Sequence, residues 1–303
     1  MLIKQEKRLR EKNLLDNLEF DGNTKLCILI GNPVSHSLSP RMHTTAFNEI
    51  DFNCVYLACK VEKKDLKNAA NAIKALGMVG ANVTIPHKID IMEYLDEIDP
   101  IAKDIGAINT IVNRDGSLYA TNTDGKGAIR SLREAGIDLE ARTTTMIGAG
   151  GVARPISFFL LQEIDHLYLT DINMDAANNL KKDLIERYPN KITLFESNDK
   201  NLKKVLEKSE ILFNCTPVGM HPNIKDTPVP KAFLRDDLSV FDVVYNPLKT
   251  QLIKDAIDVG AKAVGGIKMF LYQGVEAFEL WTSKKAPVKL MEKIIIEKLS
   301  SPK

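Results

Sequence analysis

The sequence predicts an α/β protein of two domains built on largely parallel sheets, and three observations predict it. Short β-branched or aromatic runs alternate with longer segments of helical apolar spacing, the signature of strand-helix-strand units. The 303 residues exceed the usual size of one domain, so two cores are expected. A glycine-rich turn lies midway along the chain, where an apolar strand runs straight into an amphipathic helix.

In chain order the expected strands are LCILIG from 26, NCVYLAC from 53, GANVTI from 80, TTTMIG from 143, HLYLTD from 166, ITLFES from 192, ILFNCT from 211 and SVFDVVY from 239. Each is short and rich in side chains that fit a pleated, buried surface. Between them DLKNAANAIKALG and DAANNLKKDLIERY repeat apolar residues at helical spacing. The amino terminus alternates charges with leucines and lacks the apolar core and cleavage site of a signal peptide, so it reads as a short charged helix. No internal repeat, low-complexity tract or Pro/Gly/Ser linker marks a boundary, and boundaries therefore come from motifs.

Composition narrows the function. Lys and Arg total 41 against 40 Asp and Glu, a net charge of +1, so no global field attracts nucleic acid or an anionic membrane and a small, locally recognised ligand is expected. The longest apolar runs, such as ISFFLL from 156, fall far short of the roughly 20 residues that span a bilayer. Cys27, Cys54, Cys59 and Cys215 lie in strand-like apolar settings without CxxC spacing, which reads as buried free thiols in a reducing cytoplasm. His36 and His43 have no third ligand at useful spacing, so no metal site is expected.

The turn carries the first specific chemistry. Gly148, Ala149, Gly150, Gly151, Val152 and Ala153 form G-x-G-x-x-A between strand and helix. The first glycine permits the tight turn, the second removes a side chain where pyrophosphate approaches, and the small last residue lets helix and strand pack closely. Pro155 follows in the first helical turn, where a missing amide is tolerated. Asp171 ends the next strand, about 20 residues on, where a carboxylate can accept hydrogen bonds from an adenosine ribose and repel a 2′-phosphate. Its neighbour is Ile172, not arginine, so NAD is favoured over NADP. The alternative for Asp171 is a cap on the following helix.

Four further segments place polar residues at the ends of apolar strands: NPVSHSLSPRMH, ANVTIPHK, GAINTIVN and TNTDGKG. Singly, each has an ordinary alternative: Ser39 before Pro40 as a helix cap, Asn109 as a turn residue, Asp124 as the cap of GKGAIRSLREAG, Lys88 as a solvated helix start. Together, and in colinear order with GAGGVAR at 148–154, the segment of Asn214 to Met220, Tyr245 to Pro247 and the closing stretch from Gly266 through Trp281, they resemble the shikimate dehydrogenases and the quinate/shikimate dehydrogenases over about residues 26 to 298.

The resemblance implies reversible NAD(P)-dependent reduction of 3-dehydroshikimate to shikimate, in the pathway to aromatic amino acids. Hydride arriving at a carbonyl carbon leaves an alkoxide that needs a proton and stabilisation, both of which Lys88 can supply. Asp124 is by resemblance its partner. Ser37 and Ser39, helped by Tyr245, would grip the substrate carboxylate, while Thr84, Asn109, Asp124 and Gln273 would bind ring hydroxyls. The same resemblance places Asn173, Thr216, Val218, Val243, Gly266 and Met269 against the dinucleotide, with Met220 and Phe270 near its nicotinamide. Pro86 would stiffen its turn, and His87 is read as incidental. Ser283 stands where the family commonly has glycine, which reads as a minor surface change.

The implied architecture is a substrate domain of residues 25–123 completed by 266–303, around a Rossmann-type doubly wound domain of residues 124–265, with residues 1–24 as an extension and the active site in a cleft that closes on a hinge. A monomer or homodimer is expected. NAD use within the family is more typical of the quinate/shikimate enzymes, which leaves quinate as the alternative substrate. Two rival readings are a nucleotide-sensing regulator on this fold and a tetrahydrofolate-type dehydrogenase; intact Lys88 and Asp124 oppose the first, and the Ser-x-Ser and NTDG segments oppose the second.

Overall fold

The computed structural model describes residues 20–35 and 37–300. His36 and nearly all of the amino-terminal helix expected from the sequence lie outside the described residues. The elements run β1 (Lys25–Gly31), α1 (Ser39–Glu49), β2 (Cys54–Lys60), α2 (Leu66–Ala75), β3 (Gly80–Val83), β4 (Glu97–Ile98), α3 (Pro100–Ile105), β5 (Thr110–Arg114), β6 (Ser117–Thr121), α4 (Thr123–Glu134) and β7 (Thr143–Ile147). They continue with α5 (Ala153–Leu160), β8 (His166–Thr170), α6 (Met174–Ile185), β9 (Ile192–Leu194), α7 (Asp199–Leu206), β10 (Ile211–Asn214), β11 (Ser239–Asp242), α8 (Gln251–Asp258), β12 (Ala263–Gly265), α9 (Gly266–Thr282) and α10 (Val288–Ser300).

Two compact units divide the chain. One holds the described residues up to Ile98, Ile108–Thr121 and those from Ala277 onward; the other holds Asp99–Ala107 and Asn122–Glu276. The boundaries drawn from motifs differ from these: residues 20–24 go with the first unit, residues 99–107 and 122–123 go with the second, and α9 divides at Glu276 and not at its start.

The first unit carries a six-stranded mixed sheet in the order β2-β1-β3-β5-β6-β4. Its parallel core is β1 between β2 and β3, while β5 and β6 form an antiparallel hairpin. That hairpin turns on Asp115 and Gly116, both at positive φ, the conformation that an Asp-Gly turn supplies. Helix α1 is tied to β2 by Thr44, whose hydroxyl accepts from the Tyr56 amide at 3.0 Å. Behind the sheet, His43, Phe47, Tyr56, Phe278 and Trp281 pack ring against ring, with Phe47 and Phe278 stacked at 5.2 Å. Gly80 makes room for this cluster. A Cβ there would lie 2.2 Å from Ile111 O and 2.5 Å from Trp281 Nε1, and that indole donates to the same Ile111 carbonyl at 2.9 Å.

The second unit is a six-stranded, wholly parallel sheet in the order β12-β11-β10-β7-β8-β9. Chain order reverses between β7 and β10, so this is the doubly wound arrangement and its switch point lies at those two strands. Helices cover both faces, and alternate residues sort accordingly. Met146, Phe213, Phe241, Leu167 and Leu169 enter one core; Ile147, Leu212, Val240 and Tyr168 turn to the other. That two-sided burial explains why these strands read as nearly continuous apolar runs in the sequence.

Of the cysteines, Cys27, Cys54 and Cys215 are buried free thiols as expected, but Cys59 is only partly covered because it lies on edge strand β2. Among the described residues, no helix is long and apolar enough to cross a membrane, and no three His, Cys, Asp or Glu side chains gather as metal ligands.

Candidate active site

In the first unit, five of the proposed residues collect at one edge of the mixed sheet. Ser37 Oγ accepts from the Ser39 amide at 3.2 Å, which draws both hydroxyls to the start of α1. Ser39 is the first residue of that helix and does not cap it; the N-cap position is Leu38, which has no side-chain cap bond. Thr84 follows β3, its amide bonded to Ile30 O and its methyl filling the space where a side chain on Gly31 would clash at 2.3 Å. Lys88 lies one turn further, and its carbonyl accepts from the amide of Ile108 at 2.9 Å, which brings the lysine segment beside Asn109. Asn109 is buried, with its carbonyl accepting from Val83 N at 2.9 Å.

His87 is not incidental to this arrangement. It is buried, and its Nε2 lies 2.7 Å from Val61 O, pinning the turn that carries Lys88.

In the second unit, the turn after β7 has the conformation that its glycines require. Gly148 is at φ +102°, and a Cβ there would lie 2.8 Å from the Cys215 backbone, so only glycine lets β7 and β10 close up at the switch point. A Cβ on Gly150 or Gly151 would meet nothing within 4 Å, so those positions border open space at the amino end of α5. A glycine-rich turn of this kind can hold a pyrophosphate against backbone amides, and here Val152 and Ala153 lead into the helix. Asp171 holds the turn from the neighbouring strand. Its Oδ2 accepts from Ala149 N at 2.7 Å and its Oδ1 from Asn173 N at 2.8 Å. It is not the helix cap: Asn173 caps α6, accepting from Asp175 N and Ala176 N. Ile172 points to solvent and is 95% exposed.

A buried polar network organises the far side of the switch point. Asn214 Oδ1 accepts from Thr216 N at 3.0 Å and Thr216 Oγ1 at 2.6 Å, and Thr216 Oγ1 in turn accepts from Val218 N. Asn214 Nδ2 donates to Asp242 Oδ1 at 2.9 Å, which also accepts from Val244 N, while Asp242 Oδ2 accepts from Thr250 Oγ1 at 2.5 Å. Burial pushes the Asp242 carboxyl above its ordinary value, while these three hydrogen bonds pull it the other way. Sequence reading missed Asp242; its position in the apolar run SVFDVVY was the available signal, because a buried acid needs partners. Val243 and Gly266 meet here as well, a Cβ on Gly266 falling 2.2 Å from Val243 O. Met269 is buried, whereas Met220 is 47% exposed. Tyr245 stacks on Phe270 at 5.6 Å between centroids, and partial burial raises its phenol above the ordinary value.

Asp124 lies in the first turn of α4, and the cap it was offered as belongs to Asn122, whose side chain accepts from Asp124 N at 3.0 Å. Two glycines seat this helix: a Cβ on Gly125 would lie 2.2 Å from the Phe159 ring on α5, and one on Gly127 would lie 2.6 Å from Gln273 N on α9. The close approach at Gly127 brings Gln273 beside the helix of Asp124, with Gln273 Nε2 donating to Phe270 O at 2.9 Å.

A family model described as the shikimate dehydrogenase substrate binding domain matches residues 29–111, and one described as the shikimate 5′-dehydrogenase C-terminal domain matches residues 266–296. A shikimate dehydrogenase (NADP(+)) of Methanobrevibacter smithii is 45% identical over 280 residues, covering 91% of this chain and 98% of that one. The chain belongs to the shikimate dehydrogenase family. Among solved structures in the family, the shikimate 5-dehydrogenase of Listeria monocytogenes in complex with shikimate and NAD is 37% identical, with a TM-score of 0.88 over 91% of this chain and 98% of that one. A shikimate dehydrogenase in complex with NADP+ is 39% identical, with a TM-score of 0.87 over 93% of this chain and 98% of that one. Both dinucleotides thus occur among relatives of this fold.

Proposed function

We propose that this chain catalyses the reversible NAD(P)-dependent reduction of the ring ketone of 3-dehydroshikimate to the hydroxyl of shikimate, in the biosynthesis of aromatic amino acids. The observation that carries the reading is the gathering of Ser37, Ser39, Thr84, Lys88 and Asn109 at one strand-end edge of the unit that the substrate-binding family model matches.

When bound, the nicotinamide supplies the hydride. The rest falls to this chain's residues. The Lys88 ammonium stabilises charge growing on the carbonyl oxygen and then donates the proton that makes it a hydroxyl, returning to the amine that takes a proton in the reverse direction. Asp124 holds the ammonium and accepts a hydrogen bond from the neighbouring ring hydroxyl. Ser37 and Ser39 donate to the substrate carboxylate with Tyr245, and Thr84, Asn109 and Gln273 bind ring hydroxyls, so a substrate lacking one of them leaves a polar group unpaired.

The turn of Gly148 to Ala153 would hold the dinucleotide, with Asn173, Thr216, Val218, Val243, Gly266 and Met269 as its further contacts. NAD is the preferred form. The Asp171 carboxylate accepts from ribose hydroxyls and repels a 2′-phosphate, and Ile172 offers no compensating charge.

Initial rates at the absorbance of reduced nicotinamide, with shikimate or quinate and NAD or NADP, test all of this together. Shikimate with NAD is expected to be fastest. Preference for NADP would keep the reaction and overturn the cofactor assignment, and faster quinate turnover would make this a quinate/shikimate dehydrogenase. No turnover in any combination would overturn the proposal in favour of a nucleotide-sensing role.

A further inference from the structure

Between Ile85 and Asp90, the turn that carries Lys88 is held down by one buried side chain. Ile85 and Ile89 are 72% and 66% exposed, whereas His87 between them is 1% exposed. A backbone carbonyl can only accept, so the ring nitrogen 2.7 Å from Val61 O, Nε2, carries a proton and donates it. Nδ1 is buried without a hydrogen-bond partner among the described residues, so that single bond orients the ring. The bond also spans a strand. Sheet order is β2-β1-β3; Val61 follows β2 and His87 follows β3, so the imidazole reaches over the end of β1. Val61 N donates to O of Gly31, the last residue of β1, at 3.1 Å, and Asn32 N donates to Ile85 O at 3.0 Å. With the His87 bond these links close a ring through Val61, Gly31, Asn32, Ile85 and His87. The chain that runs on to Ser37 and Ser39 leaves from Asn32, a member of that ring.

We propose that His87 is a positioning residue for the acid/base step: its Nε2–H ties the Lys88 turn to Val61 across the end of β1 and so sets the place of Lys88 relative to the segment of Ser37 and Ser39. The inference rests on the acid/base role proposed for Lys88. His87 need not touch the substrate. Without the tie, the exposed turn is free to lift while the serines stay at the start of α1, and the lysine loses its register with a carbonyl whose own molecule is gripped elsewhere.

The test is steady-state kinetics of the full chain with shikimate and the dinucleotide it turns over faster, per folded enzyme as measured by circular dichroism. His87→Leu removes the donor and keeps apolar bulk, and His87→Gln supplies an amide donor that can reach Val61 O. His87→Leu is expected to lower kcat about tenfold or more, with dinucleotide KM within about twofold of wild type, and His87→Gln to recover kcat to within about threefold. A merely structural role predicts lost stability with kcat unchanged in the folded fraction. His87→Met serves if the leucine variant does not fold. Nitrogen-15 spectra of the histidines, with the His87 signals assigned by their loss in His87→Gln, give a second readout: a proton on Nε2 is expected. A proton on Nδ1 alone, a folded donor-deleted variant with kcat within about threefold of wild type, or a glutamine variant as slow as the leucine one would overturn the inference alone. Absence of shikimate turnover in the wild type would instead overturn the proposed function and, with it, the acid/base part of this inference.

Discussion

Replacing Asp242 with alanine and with asparagine separates what its shape does from what its charge does. The alanine variant strips the acceptor from three donors at once: Asn214 Nδ2, Val244 N and Thr250 Oγ1, on residues that are 0%, 5% and 1% exposed. A buried donor left unpaired costs about 1–3 kcal/mol, and the three share one site and relax together, so a loss of about 3–5 kcal/mol is expected. For a unit of this size, that lowers the thermal midpoint by about 10 °C. Asparagine behaves differently. Its carbonyl keeps the bonds to Asn214 and Val244, and its amide can donate to the Thr250 hydroxyl, so Asp242→Asn should lie within about 1 kcal/mol of wild type at low pH.

The pH dependence gives a second, independent readout. Burial raises the folded Asp242 carboxyl above its unfolded value, so the folded protein keeps a proton there that the unfolded chain has released. Wild-type stability therefore falls as pH rises from the unfolded carboxylate range through the raised folded value, and levels off above it. The asparagine variant has no such group. Its stability relative to wild type should increase across that same window. Urea unfolding followed by circular dichroism at several pH values measures both effects. An alanine variant within 1 kcal/mol of wild type, or an asparagine variant as damaged as the alanine one, would refute the reasoning.

Other outcomes follow from residues described above. Lys88→Ala should lose nearly all turnover while binding dinucleotide as the wild type does, read by initial rates and by fluorescence titration of the reduced cofactor; substantial remaining turnover would remove Lys88 from the acid/base role. Asp171→Asn keeps an acceptor for the Ala149 amide but deletes a charge, which should shift the ratio of kcat/KM values toward NADP by roughly tenfold, the size of one exposed charge pair at close range. His43→Phe should make the protein more acid-resistant. Burial holds the His43 imidazole down to about 3, so the unfolded chain takes up a proton below about pH 6.5 that the folded one refuses, and wild-type stability drops by about 2 kcal/mol between neutral pH and pH 5, a drop the phenylalanine variant lacks in acid unfolding curves. Ser283→Gly should raise stability by roughly 0.5–1 kcal/mol in the same urea assay, since Ser283 sits at φ +53°, where only glycine is unstrained.

That last residue shows where sequence reading stopped short. Ser283 read as a minor surface change, and its positive φ is a property of the backbone that no side-chain pattern reports. The eight strands expected from apolar runs all formed, because each buries at least one face and needs β-branched or aromatic residues to do so. Strand β5 was read only as a motif-bearing segment and β6 was not read at all, although Asp115 and Gly116 carried a hairpin signal; β4 and β12, of two and three residues, are too short to have any periodicity. Caps were legible as a residue type but not as a position. Asp124 and Asp171 both looked like caps, and in each case an asparagine two residues away took that bond. Motif residues such as Gly148 and Ser37 could be named in advance because their chemistry is local. The partners of Asp242 and His87 could not, since they are distant in the chain.

Helix α4 has a thickness determined by what its residues lack. Gly125 and Gly127 leave it without side chains toward both α5 and α9, so the backbone itself is the contact surface on two sides. Gly127 in the interior costs such a helix about 1 kcal/mol of intrinsic preference and Gly125 in its first turn adds to that, which a helix chosen for its own stability would not carry. What the arrangement provides is a mechanical stop. At Gly125 the helix backbone rests on the Phe159 ring and the Pro155 carbonyl, and at Gly127 on the Gln273 backbone, so the peptide that carries Asp124 is held close on two sides. A single added methyl at either glycine would act as a shim, lifting that carboxylate without changing its chemistry.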